Sequence, residues 1–260
     1  MNLDYNAFSG APDRSGFAEP FPSYMYDDSR WNDLPYLLGV GTTRKSIETV
    51  LGLKWSRFST DASRMWYWMD GHQFFAAKAV QGLDSANLNA QFRQPPRSLG
   101  GMQASFDANL APLIEKYPGV RFTFLYAPYA ILVWMDFEQR GQLDITLAFR
   151  EWLFERTSRY ANVETFDFHA EPSIVTDLDH FTDIYHYSPK LSVALIQAMA
   201  EGRYRLTREM IAGNNAWLRK AARESTPAQV IAAAMAKPAP ETPDGKAFVP
   251  PGGFAPPQLN

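Results

Sequence analysis

Three of the four histidines, His169, His180 and His186, stand close together among Asp167, Asp177, Asp179 and Asp183. Imidazole next to carboxylate is the pairing that acid–base catalysis uses, because the carboxylate fixes the imidazole tautomer and stabilises its protonated form. The sharpest spacing is Asp183-Ile184-Tyr185-His186, which is followed by Tyr187 and by Ser188-Pro189. A short loop of this kind brings the carboxylate onto one ring nitrogen and leaves the other for a nucleophile. Asp177 and His180 share the spacing, but a place after a strand and directly before a helix favours Asp183 and His186. The competing reading of the pattern is a surface loop with incidental charges. A metal-dependent hydrolase on Asp167, His169, His180 and His186 is a further alternative, since such ligands suit several divalent metals. No recognised metal spacing supports it, so no metal and no cofactor is expected.

The elements that must position these residues read as alternating helix and strand. Arg121–Tyr126 is apolar, β-favouring and bounded by Tyr117-Pro118-Gly119 and Ala127-Pro128, which predicts a strand. Val163–Phe168 reads as a second. A helix is expected from Gly101 to Lys116, where Phe106, Leu110, Leu113 and Ile114 recur at helical spacing, and another from Leu143 to Tyr160. Ser188 as cap with Pro189 in the first turn predicts a helix to Ala200, with further helices starting near Thr207 and Thr226-Pro227. A helix is also expected from Thr42 or Thr43 to Leu51. Helices between strands at these lengths imply parallel strands joined by crossovers, hence an α/β sheet. Ligand sites in such sheets lie beyond the carboxyl ends of the strands, here just after 126 and 168.

Bulk properties narrow the class. The net charge of −3, with no concentration of Lys and Arg, argues against nucleic acid as a partner. Arg203, Arg205, Arg208, Arg219, Lys220 and Arg223 fit a solvated helix face. There is no cysteine, which excludes disulfides and thiolate catalysis. The aromatic fraction of 14% suits a packed core first and a sugar-facing groove second. No apolar run approaches the ~20 residues that span a bilayer, and the N-terminus has no signal-peptide pattern. Read literally, this places the chain in the cytoplasm. Residues 237–260 are dominated by Pro, Gly and Ala and read as a disordered tail behind a domain covering 1–236. Residues 1–35 read as an ordered loop, with Leu3, Tyr5 and Phe8 at the end of a strand.

An ordered set of segments carries a resemblance. FPSYMYDDSRWNDLPYLL (21–38), LYAPYAILVW (125–134), GQLD (141–144), NVETFDF (162–168) and DLDHFTDIYHYSP (177–189) together resemble membrane-anchored bacterial SGNH-like proteins of the GDSL esterase and acyltransferase type. These are distantly similar to proteins that move D-alanine or acetyl groups on cell-surface polymers. The resemblance implies a three-layer, flavodoxin-like parallel sheet. It makes Asp183 the orienting acid and His186 the general base, with Tyr126, Pro128 and Tyr129 as wall residues at a strand end. It also implies a location at the cell envelope or its periplasmic face, and a cell-surface carbohydrate or acyl donor as partner.

The family's nucleophilic Ser follows its first strand, in a segment that precedes all of these. MNLDYNAF resembles the end of the next strand, and no G-x-S-x-G or GDS-like turn occurs elsewhere. The expectation is therefore the C-terminal part of an SGNH-like esterase or O-acyltransferase acting on a cell-envelope polysaccharide, inactive as it stands and incomplete at its N-terminal strand. The alternative is a non-catalytic binding or scaffold module in an envelope assembly.

Overall fold

The structure is a computed structural model that describes residues 1–8, 40–51 and 72–240. The chain divides into two compact units, one of residues 1–12 with 72–260 and one of residues 13–71. In the second unit the described element is helix α1 (Val40–Val50), close to the helix expected from the sequence there. The first unit begins with a 3-10 turn, Tyr5–Phe8, followed by α2 (Ala76–Ala79), α3 (Leu99–Asn109) and α4 (Ala111–Lys116). Then come β1 (Phe122–Tyr126), α5 (Ile131–Gln139), α6 (Leu143–Thr157) and β2 (Val163–Asp167). The remainder is helical: α7 (Pro172–Val175), α8 (Pro189–Ala200), α9 (Arg208–Glu224) and α10 (Pro227–Ala236).

The fold is of mixed helix and strand around a parallel pair. β1 runs in register with β2 from Phe122 opposite Val163 to Tyr126 opposite Asp167. Parallel neighbours need a long return connection, which α5 and α6 supply. On the other side of β1, the Leu3 N–H donates to the Leu125 carbonyl at 2.8 Å and the Leu125 N–H to the Met1 carbonyl at 2.9 Å. The first residues thus run parallel to β1, as the sequence pattern of a strand end suggested. Beyond β2, Arg205 forms an antiparallel bridge to Phe166. Three segments therefore end side by side, at Leu3, Tyr126 and Asp167.

Two helices differ from the sequence expectation for identifiable reasons. The helix expected over Gly101–Lys116 breaks at Leu110, because Pro112 lacks an N–H and its ring clashes with the preceding turn. α5 has no amphipathic period: every residue from Ile131 to Phe137 is buried, including Trp134 at 0% exposure. Even Asp136 is buried there, neutralised by a bidentate Arg140 at 2.6–3.1 Å one turn on. Among the described residues no helix is long and apolar enough to cross a membrane. Of the tail expected at 237–260, residues 241–260 lie outside the described residues.

Beneath the strand ends sits a fully buried charge. Arg150 of α6 donates to Asp167 Oδ2 at 2.6 Å, to Asn215 Oδ1 at 2.8 Å, to the Tyr5 hydroxyl at 3.1 Å and to His169 Nδ1 at 2.7 Å. Asp167 also accepts from Asn214 at 2.7 Å and from the His169 N–H at 3.0 Å. The guanidinium lies 4.6 Å from the Tyr126 ring centre. Burial would discharge Arg150, but the Asp167 carboxylate and the surrounding phenols outweigh it and hold the arginine charged. Burial, followed by the Arg150 charge, drives the His169 imidazole well below its ordinary value, so this histidine is neutral. The cluster ties α6, α9, the end of β2 and the Tyr5 turn together in one place.

Candidate active site

The loop before α8 is built by short-range bonds. Phe181 and Tyr187 form an antiparallel bridge, and the Thr182 N–H donates to the His186 carbonyl at 2.9 Å. The loop is anchored to the start of α5, where the Ala130 N–H donates to the Ile184 carbonyl at 3.0 Å. Ile184 is buried at 0% exposure, so the apolar side of the loop fixes the polar side at the surface.

Within it, Asp183 Oδ2 lies 2.7 Å from His186 Nδ1. The other oxygen, Oδ1, accepts the N–H groups of Tyr185 at 2.8 Å and His186 at 2.9 Å. The carboxylate is therefore held by its own loop as well as by the imidazole. An acceptor at Nδ1 sets the proton there in the neutral ring and leaves the lone pair on Nε2. The His186 side chain is 48% exposed, within reach of a substrate, and Asp183 is 31% exposed. The hydrogen bond that the ring donates to Asp183 raises the His186 imidazole above its ordinary value, against the opposing effect of burial, and the charges of Asp183 and then Asp4 add to the rise. Burial pushes the Asp183 carboxyl up, but the bond and charge of His186 with the two backbone N–H groups bring it below its ordinary value.

These opposite shifts fix a pH window. A raised imidazole gives stability that is complete below its unfolded value and is lost as pH rises through the folded value. A depressed carboxyl gives stability that is lost as pH falls through its own folded value. The pair contributes most between the ordinary values of 3.8 and 6.5. We expect the melting midpoint to fall more between about pH 6 and about pH 9 in the wild type than in Asp183→Asn. Equal falls in the two proteins would show that the pair is not formed in solution. The effect is small, because half-exposed ion pairs are screened by water.

Ser188 holds the next element in place. Its side chain accepts from the Leu191 N–H at 3.2 Å, and its own N–H donates to the His180 carbonyl at 2.9 Å. Ser188 is 0% exposed, so Ser188→Ala leaves the Leu191 N–H without its cap in a dry place. The expected loss is about 1 kcal/mol in urea unfolding, at the usual value of an N-cap.

The other residues singled out from the sequence take different places. Tyr126 is the last residue of β1, Pro128 and Tyr129 follow it, and all three are buried. Tyr126 lies against Arg150, and its hydroxyl finds no hydrogen-bond partner among the described residues. The Tyr129 hydroxyl donates to Asp4 Oδ1 at 3.2 Å. Asp177 accepts from the Asp179 N–H and lies 3.4 Å from the Lys237 ammonium, serving a turn rather than presenting a base. Asp167 and His169 belong to the Arg150 cluster. Among the described residues no group of three or more His, Asp or Glu side chains is arranged to hold a metal ion.

Two residues that join remote segments of the fold, Asp4 and Arg150, were not singled out in the sequence. Asp4 carries a usable signal, an acid at the carboxyl end of a strand, where open α/β sheets place ligands. Arg150 carries none, since nothing in its neighbours distinguishes it from a solvated helix arginine. Clefts lined by Phe8, Arg97 and Met102, and by Arg121, Glu164 and Arg205, do not include His186.

Compared with models of protein families, with curated proteins and with solved structures, the chain matches none.

Proposed function

We propose that this chain is the C-terminal part of an SGNH-like esterase or O-acyltransferase that acts on a cell-envelope polysaccharide, with a three-layer α/β sheet. The observation that supports this reading is the 2.7 Å contact between Asp183 and His186, on a loop anchored beside the end of β1 and directly before α8. In the proposed reaction His186 Nε2 takes the proton of a serine hydroxyl as Oγ attacks the ester carbonyl. Asp183 stabilises the imidazolium that forms. Collapse of the tetrahedral intermediate breaks the ester C–O bond, and His186 returns the proton to the departing alcohol. Water or a sugar hydroxyl then repeats the cycle on the acyl-serine, giving hydrolysis or transfer respectively. The serine belongs to a segment preceding Met1 in this reading.

The test is to translate the DNA upstream of codon 1 in frame, express the extended protein and assay it. Labelling by a fluorophosphonate probe, together with release of acetate from an O-acetylated polysaccharide, is the expected result. An in-frame stop codon with no Gly-x-Ser segment, or an extended protein that neither labels nor turns over, would remove the esterase reading. A non-catalytic envelope binding module would then remain.

A further inference from the structure

Asp4 and the Asp183–His186 pair are tied to the same corner of the fold from two sides. On one side Asp4 accepts from the Tyr129 hydroxyl at 3.2 Å, and its neighbour Tyr5 is clamped by Arg150 at 3.1 Å. Tyr129 is 6% exposed, so packing fixes where its hydroxyl reaches. On the other side the Tyr129 ring meets Tyr185 edge-on at 5.4 Å. The next residue, Ala130, donates its N–H to Ile184 at 3.0 Å, and the Tyr185 N–H donates to Asp183 Oδ1 at 2.8 Å.

We propose that Asp4 is a positioning residue of the same site, held by Tyr129 so that a second negative charge bears on the Asp183–His186 pair. This rests on the reading of that pair as base and orienter. Among the described residues, Asp183 from its own loop and Asp4 from the N-terminal segment are charged groups that raise the His186 imidazole. The nearby phenols of Tyr129 and Tyr185 stay neutral, because burial raises both. Two carboxylates hold the imidazolium more firmly than one. The proton drawn from an attacking hydroxyl is thus retained better, and the free-base form of His186 predominates only at higher pH.

The experiment is an NMR titration of the His186 ring in the chain as it stands, with its signal assigned by its disappearance in His186→Ala. Asp4→Asn should move the titration midpoint down, by less than Asp183→Asn does. Tyr129→Phe, which removes the hydroxyl that donates to Asp4, should move it in the same direction. A purely structural role for Asp4 would leave the midpoint where it is. If Asp183→Asn lowers the midpoint while Asp4→Asn and Tyr129→Phe do not, the role of Asp4 is overturned and the dyad stands. If Asp183→Asn also leaves it unmoved, the proposed active site fails together with this inference. Should Asp4→Asn not fold, as judged by circular dichroism, Asp4→Ser, which also removes the charge, takes its place in the comparison.

Discussion

Arg150→Ala is expected to cost about 3–5 kcal/mol of folding stability, the usual result of removing one partner from a buried ion pair. Both side chains of the Arg150–Asp167 pair are 0% exposed, so the substitution would strip the Asp167 carboxylate of its counter-charge in a place without water. The Asn215 carbonyl oxygen and the Tyr5 hydroxyl lose their donor in the same step. Neither group lies near solvent, which is why the loss exceeds that of a surface pair, worth at most about 1 kcal/mol. Urea unfolding read by Trp fluorescence measures the effect. Arg150→Met combined with Asp167→Asn should recover part of the loss, since it removes the orphaned charge while keeping most of the volume. A single variant as stable as the wild type would mean that Asp167 is hydrated in solution and that the cluster is open.

The second large effect concerns the chemistry. In the extended protein, His186→Ala should lower turnover of an acyl ester by ~10²–10⁴-fold, the usual contribution of a positioned general base. Stability should change little, because the His186 side chain is 48% exposed and a half-exposed ion pair is worth at most about 1 kcal/mol. That separation of activity from stability is the check: a variant that loses both has lost its fold rather than its base. Only the neutral imidazole accepts a proton, and Asp183 raises the imidazole, so wild-type activity should climb as pH passes through that raised value. Asp183→Asn should lower turnover and shift the climb to lower pH. Activity that ignores His186→Ala would exclude this histidine as the base, whatever the enzyme's reaction.

Much of this was legible before any coordinates. β1 and β2 are short runs of aromatic and β-branched residues between turn residues, and they form within a residue of the expected bounds. Ser188, Thr207 and Thr226 announce their helices as caps, and each side chain accepts the backbone N–H three residues on. The Asp183 loop was legible because its interactions are local: carboxylate, two N–H groups and imidazole lie within four residues. α5 was not, since a helix buried on all sides has no polar face and so no period to read.

The sequence by itself determined what short-range chemistry can determine: where the strands and capped helices start, and that Asp183 and His186 can meet. Tertiary structure decided the rest. It set Asp4 against Tyr129, 125 positions away in the chain, and Arg150 against Tyr5, 145 positions away. It also made Tyr126 a buried wall of a charge box. The physical reason is distance along the chain. A contact within a few residues is fixed by backbone geometry and side-chain type. A contact between remote segments depends on which faces the crossover helices bury together, and that choice is spread over the whole core.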